Sequence, residues 1–267
     1  MSVPDVLRAG TGVPLIFLHG IGGAARLWTP QIEHFSQRGY DTIAFDLPGY
    51  GGQEPLTGGI SFDQLADALE VVIARAGAER PVLVGHSLGG MAVQTFLRRH
   101  PDGARAAILS GTSPAFGDPK GEFQKRFLSD RLRPLDEGET MQQLAPRMVA
   151  AMVGPEPDPA GMALAESCMA ATPPETYRAM VNCLVTFDER ANLARIRVPV
   201  LVLAAELDRN APAAVMRKMA GYIPGAHYVE LPRAGHLASV EKPEAFNAAV
   251  EGFLDAALNQ YEARTAT

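Results

Sequence analysis

The sequence predicts an α/β fold in which a mainly parallel central sheet is flanked by helices. Three observations lead there. Short, nearly unbroken apolar runs recur along the chain; amphipathic segments with helix-start and helix-stop residues separate them; and one run passes through a glycine-flanked serine straight into a helical pattern. Continuous apolarity suits strands covered on both faces, whereas a strand with one wet face would alternate polar and apolar residues.

The strand-like runs are PLIFLHG (14–20), DTIAFD (41–46), PVLVGHS (81–87), ARAAILSG (104–111), PVLVLAAELD (199–208) and AHYVELP (226–232). Between the first two, Thr29 can cap a helix with Pro30 at its first position and Gly39 at its end. Ser61 and Gln64 make a capping-box pattern, Leu65, Leu69, Val72 and Ile73 share the face that follows, and Gly77 closes it. After Ser87 the helical pattern runs through Met91, Phe96 and Leu97 until His100-Pro101, and a last one carries Phe246, Val250, Phe253, Leu254 and Leu258. The alternation lapses over residues 115–190, which are helical in pattern, rich in proline and hold Met141, Met148, Met152, Met162, Met169 and Met180. Residues 1–114 and 191–267 therefore read as one core, and 115–190 as a helical insertion over the sheet.

With 47% apolar and 20% charged residues the chain has the composition of a globular protein, and its net charge of −6 with no basic run argues against nucleic acid as a partner. No apolar run reaches the roughly 18 residues of a membrane span. The N-terminal MSVPDVLRAGTGVP lacks the charged and apolar regions of a secretory signal. Cys168 and Cys183 are too few for a disulfide framework and lack metal-ligand spacing, which favours two reduced thiols in a cytoplasmic protein.

The chemistry concentrates at Gly85-His86-Ser87-Leu88-Gly89, a Gly-x-Ser-x-Gly between strand and helix. A serine on so tight a turn needs neighbours without side chains, and the helix that begins there aims amide groups at the site. A serine hydroxyl needs a base, and the base an orienting acid. His236 follows the last strand and precedes the last helix, the position expected of the base; His19, His86, His34, His100 and His227 are worse placed. Asp208 ends the preceding strand and is the candidate acid, with Glu206 and Asp46 as alternatives. Oxyanion donors are expected from the backbone N–H of Leu88 and of Ile21 in the LHGIGGAA loop, with Gly22 as the substitute for Ile21.

Taken together, PLIFLHGIGG, FDLPGYGGQE (45–54), LVGHSLGGMAVQ, ILSGTSPAF, IRVPVLVLAAELD and RAGHLASVEKPEAF, in this order, make nearly the whole chain resemble the α/β-hydrolase superfamily, and in particular small bacterial esterases and enol-lactonases of the 3-oxoadipate type. The resemblance implies that Ser87, Asp208 and His236 form a catalytic triad and that 115–190 is a cap inserted between sheet strands six and seven. It implies no metal or organic cofactor. One departure stands out: His19 comes early, so the first one or two strands are expected to be shortened or absent, leaving a sheet edge free to dimerise or to be covered otherwise.

The expected reaction is hydrolysis of a small carboxylic ester or lactone through an acyl-enzyme, with water as second substrate. Alternatives on the same scaffold are a carbon–carbon bond hydrolase, a cofactor-free oxygenase or perhydrolase, a hydroxynitrile lyase and a non-catalytic receptor. Aspartate at position 87 would mark a haloalkane dehalogenase, and His86 and Leu237 stand where carbon–carbon hydrolases tend to carry Asn and Trp. Candidate pocket residues are Trp28, Phe116, Phe127, Met148 and Met152, with Phe123 as a further wall. Trp28 reads rather as a buttress for the oxyanion loop, and the cap methionines rather as packing. Arg126, Arg131 and Arg209 read as solvated surface or as partners for a substrate carboxylate.

Overall fold

A computed structural model describes residues 6–118 and 120–265, with side chains described up to residue 258. The N-terminal stretch read above as lacking a secretory signal falls partly outside the described residues. The six expected strands all form: β2 (Val13–Leu18), β3 (Tyr40–Phe45), β4 (Val82–His86), β5 (Ala106–Ser110), β6 (Val200–Ala205) and β7 (His227–Leu231). A short β1 (Val6–Ala9) precedes them, and the sheet order is β1-β3-β2-β4-β5-β6-β7. Only β1 runs antiparallel, pairing Val6–Ala9 with Phe45–Thr42; all other pairs are parallel. The interior strands β4, β5 and β6 are buried along their whole length, which accounts for their unbroken apolarity.

The N-terminal expectation is thus met by a single four-residue strand ahead of β2. β1 caps the edge beyond β3, held by Arg8 on Asp41 (2.8 and 2.6 Å) and by the Thr42 hydroxyl on the Ala9 carbonyl (2.7 Å). Among the described residues one strand precedes the one ending at Leu18, so counted over these strands the helical insertion follows the fifth and precedes the sixth, where the expectation was six and seven.

Two layers of helix cover the sheet. One face packs on α2 (Phe62–Ala76), α3 (Leu88–Arg99) and α8 (Ala213–Tyr222) through residues such as Leu65, Leu69, Val93 and Met216. The other packs on α1 (Thr29–Ser36) and the C-terminal α10 (Pro243–Thr265) through Phe35, Phe246, Val250 and Leu254. Each such side chain, fully buried, contributes about 1.5–3 kcal/mol of transfer free energy. Thr29 is the first residue of α1 and not its cap: a 3-10 turn (Ala25–Trp28) runs straight into the helix, and the Thr29 hydroxyl donates to the Arg26 carbonyl.

Between β5 and β6 lie α4 (Glu122–Asp136), α5 (Met141–Ala150), α6 (Pro159–Ala170) and α7 (Pro174–Leu184), here called the cap. Their own apolar cluster, with Leu144, Val149, Met169 and Tyr177, closes over Leu27, Leu237 and Val240 of the core. Where the chain leaves and re-enters the core, Ala115 and Asp188 form an antiparallel bridge, and Phe116 N–H donates to Phe187 and Glu189 N–H to Pro114.

The Ser61 capping box forms as expected, with Gln64 N–H on the Ser61 hydroxyl and Ser61 N–H on the Gln64 side chain, and Gly77 ends α2 at φ 62°. Ser61→Ala should therefore lower stability by about 1 kcal/mol, read as a shift of the urea midpoint at unchanged slope.

Candidate active site

Ser87 stands between β4 and α3 at φ 53°, ψ −119°, a conformation that costs a residue with a side chain of order 1–3 kcal/mol. The two glycines of the motif are required by contact, not merely by flexibility. A Cβ on Gly85 would lie 2.6 Å from Gly90 Cα, and one on Gly89 2.5 Å from the Leu18 carbonyl. The turn is pinned by Ser87 N–H on the Ser110 carbonyl (2.9 Å) and by the Thr112 hydroxyl on the Ser87 carbonyl (2.8 Å).

The structure brings the three residues expected to act together into one hydrogen-bonded row. His236, on the loop after β7, places Nε2 3.1 Å from Ser87 Oγ, and its Nδ1 lies 2.8 Å from Asp208 Oδ2. A carboxylate only accepts, so Nδ1 carries the proton and Nε2 is left to take that of the serine. Asp208, just past β6, is buried, and its other oxygen accepts the amides of Asn210 (2.8 Å) and Ala211 (2.9 Å). Burial alone would raise its carboxyl; the His236 imidazole and those two amides outweigh burial and hold it below the usual aspartate range.

The alternative acids are engaged elsewhere. Glu206 is exposed and accepts the Arg233 amide at 2.7 Å; Asp46 accepts the Ala25 amide at 2.8 Å. Among the other histidines, His34 faces Glu251, His100 faces Glu70 and His227 stacks on Phe253. His19 is fully buried and bridges two loops, Nδ1 to the Gly20 carbonyl and Nε2 accepting Leu47 N–H (3.0 Å), so it is neutral.

His86 is a residue that sequence reasoning passed over. Its Nε2 donates to the His236 carbonyl at 2.8 Å, and the two rings sit 4.8 Å apart. Burial first, then the neighbouring His236, press its pKa down to about 3. It is a neutral strut behind His236, and the only signal for it in sequence was its place beside the serine.

The LHGIGG loop comes against Ser87: a Cβ on Gly20, the residue before Ile21, would sit 2.9 Å from Ser87 Cβ. Leu88 is the first residue of α3, where amides have no intrahelical acceptor. Among the described residues no acceptor engages the Ile21 or Leu88 amide, whereas Gly22 N–H already donates to the Tyr50 hydroxyl (3.3 Å). Met169 from the cap packs its thioether directly on Gly22, where a Cβ would collide with Sδ at 2.2 Å.

Of the expected pocket residues, Phe116 and Phe127 meet edge to face (4.7 Å between centroids) and are half-buried where cap meets core, and Met148 and Met152 are half-buried in the cap. Trp28 is not with them. It is fully buried on the face covered by α1 and α10, 5.0 Å from Phe17 and 6.1 Å from Phe246, and forms no pocket wall. The methionines divide: Met141, Met169 and Met180 are core packing, while Met148, Met152 and Met162 keep exposed surface. Arg131 lies over the Phe127 ring at 5.4 Å; Arg126 and Arg209 are exposed. A small cavity of about 20 Å³ lies between Ile21, His86 and Leu237 on the core side and Val149 and Ala165 of the cap.

A strained serine at a strand-to-helix turn, with a histidine and an aspartate delivered by later loops of a parallel sheet, defines a hydrolase of the α/β class. The family described as alpha/beta hydrolase fold matches residues 13–243, and the chain belongs to it. It is similar to the AB hydrolase superfamily protein YisY of Bacillus subtilis (strain 168), 29% identical over 254 residues that span 91% of this chain and 92% of the relative. Among solved structures it superposes on a thermophilic esterase from Thermogutta terrifontis with a TM-score of 0.84 and 25% identity, covering 95% of this chain and 93% of that one. The enol-lactonase from Burkholderia xenovorans LB400 gives a TM-score of 0.84 at 24% identity, covering 94% and 96%. No described helix is long and apolar enough to cross a membrane.

Burial makes His86 a source of acid sensitivity. In the unfolded chain it takes up a proton near pH 6.5, about the ordinary histidine value, which the folded state refuses until about 3. The unfolded state therefore binds more protons between those values, and stability falls as pH drops through that window. His86→Gln should flatten this acid limb in urea midpoints measured from neutral pH downward; an unchanged slope would place the sensitivity elsewhere.

Proposed function

We propose that this hydrolase cleaves a small carboxylic ester or lactone through an acyl-enzyme on Ser87. The observation that carries the reading is the continuous row Ser87 Oγ–His236–Asp208 at 3.1 and 2.8 Å, ending in a carboxylate that is buried and held ionised. His236 Nε2 accepts the Ser87 proton as Oγ bonds to the acyl carbon. The carbonyl oxygen becomes an oxyanion facing the amides of Ile21 and Leu88, each such donor being worth about 2.7–4 kcal/mol in the transition state. When the tetrahedral adduct collapses, the bond to the leaving oxygen breaks and His236 returns the proton to it. Water then repeats the sequence: His236 takes its proton, hydroxide adds to the acyl carbon, and Ser87 leaves with the proton restored.

The esterase and enol-lactonase likenesses support an ester-type substrate. We take Phe116, Phe127, Met148 and Met152, half-buried in the cap or where it meets the core, as an adaptable apolar wall for the substrate. Two free, buried cysteines, Cys168 and Cys183, support work in the reducing cytoplasm.

On a panel of short and long p-nitrophenyl esters and small lactones, Ser87→Ala and His236→Ala should each lower kcat by about 10⁶-fold and Asp208→Asn by about 10⁴-fold. Glu206, committed to the Arg233 amide, should not rescue the Asp208 variant. Activity should survive EDTA. Turnover retained by Ser87→Ala would sink the nucleophile assignment, and turnover that appears only with dioxygen or peroxide would move the reading to oxygenase or perhydrolase chemistry.

A further inference from the structure

The loop that delivers His236 is fastened on its far side to the cap, and one buried carboxylate joins the two. Glu241 ends the short α9 (Ala238–Glu241) and is 1% exposed. One of its oxygens accepts Gly235 N–H, the residue before His236, at 2.7 Å; the other accepts Gly154 N–H, in the cap loop between α5 and α6, also at 2.7 Å. The two loops meet backbone to backbone around it. His236 N–H donates to the Met152 carbonyl at 2.6 Å, and Asp158 N–H donates to the Glu241 carbonyl at 3.0 Å. No side chain fits between them: a Cβ on Gly154 would lie 2.4 Å from the Arg233 carbonyl, and one on Gly235 2.5 Å from the Met152 carbonyl. At the rim, Lys242 Nζ donates to the Glu156 carbonyl (2.7 Å) and Arg233 pairs with the Glu156 carboxylate (3.0 Å).

We propose that Glu241 is a positioning residue for catalysis, setting His236 against Ser87 by joining the base loop to the cap, so that the reacting geometry exists only when the cap is docked. The inference rests on the serine-hydrolase reading above. His236 is fixed at its ring by Asp208 and at its carbonyl by His86, but its own N–H and the N–H before it are held by Met152 of the cap and by Glu241. The side chain must be a carboxylate because both partners are donors; glutamine offers one acceptor and one donor, and would set an N–H against an N–H. Burial holds this carboxyl above its ordinary range although the two amides draw it down, so the interior holds an acid that an apolar residue could replace if packing were its only task. Displacing a catalytic group by as little as about 1 Å can cost on the order of 10² in rate.

The test compares Glu241→Gln and Glu241→Asp with wild type in the full chain, using p-nitrophenyl acetate for kcat and KM, thermal melting for the fold, and the downfield proton resonance of the His236–Asp208 hydrogen bond in water. Glu241→Gln should fold, lose about a hundredfold in kcat with KM little changed, and shift or lose the imidazole resonance. Glu241→Asp should recover part of the kcat. A Glu241→Gln protein that melts earlier but keeps wild-type kcat and resonance would make the carboxylate a structural staple and overturn the proposal. Should Glu241→Gln not fold, Gly154→Ala tests the same joint from the cap side, where wild-type kcat would likewise refute it. If wild type cleaves no ester, the serine-hydrolase reading fails, and the resonance still decides whether Glu241 positions His236.

Discussion

The backbone of Ser87 is held at a positive φ that it would not choose alone, and the packing that enforces this angle shapes much of the fold around it. The turn survives because β4 is clamped between β2 and β5 and because α3 is pressed so closely on the sheet that Gly85, Gly89 and Gly20 have no room for a β-carbon. Central position, full burial and glycine spacing are thus one requirement expressed three ways. It explains why the strands on either side are unbroken runs of apolar residues, and why Ser87 faces the ends of the strands where the later loops arrive.

Around that turn the histidines are told apart by their partners. His19 and His86 are buried, neutral and consumed by backbone partners, His19 between the Gly20 and Leu47 peptides and His86 on the carbonyl of His236. Asp208 spends one oxygen on two backbone amides and the other on His236. The Nε2 of His236 faces the Ser87 hydroxyl at 3.1 Å. The imidazoles that look like competitors in the sequence act as fixed dipoles and spacers.

How far the sequence discloses this depends on the kind of information involved. The buried strands, the Ser61 capping box and the order serine, aspartate, histidine are local patterns, and each is legible because period, cap chemistry or strand end is written in adjacent residues. β1 is not legible, since four residues on an exposed edge carry no burial signature. Thr29 misleads because its hydroxyl finds the Arg26 carbonyl of a preceding 3-10 turn instead of capping the helix. Trp28 misleads because proximity in sequence to the oxyanion loop says nothing about which face of the sheet the indole enters. The contacts of His86 and Glu241 reach across 150 and 87 positions of chain, which no periodicity encodes.

The bridge between Ala115 and Asp188 brings the two ends of the cap together at its base. Held that way, the insertion is a closed loop whose length can vary at little entropic cost to the core, since closure entropy grows only slowly with loop length. Such an insertion is the natural unit of exchange when a lineage alters its substrates: α4 to α7 can be lengthened, reshaped or regrafted without disturbing the strand order beneath. The joint at Gly154 and Met152 limits that freedom. A transplanted lid of any sequence must bring with it a glycine and a backbone carbonyl at that point of approach, so diversification is open over most of the lid and closed where it touches the loop of His236.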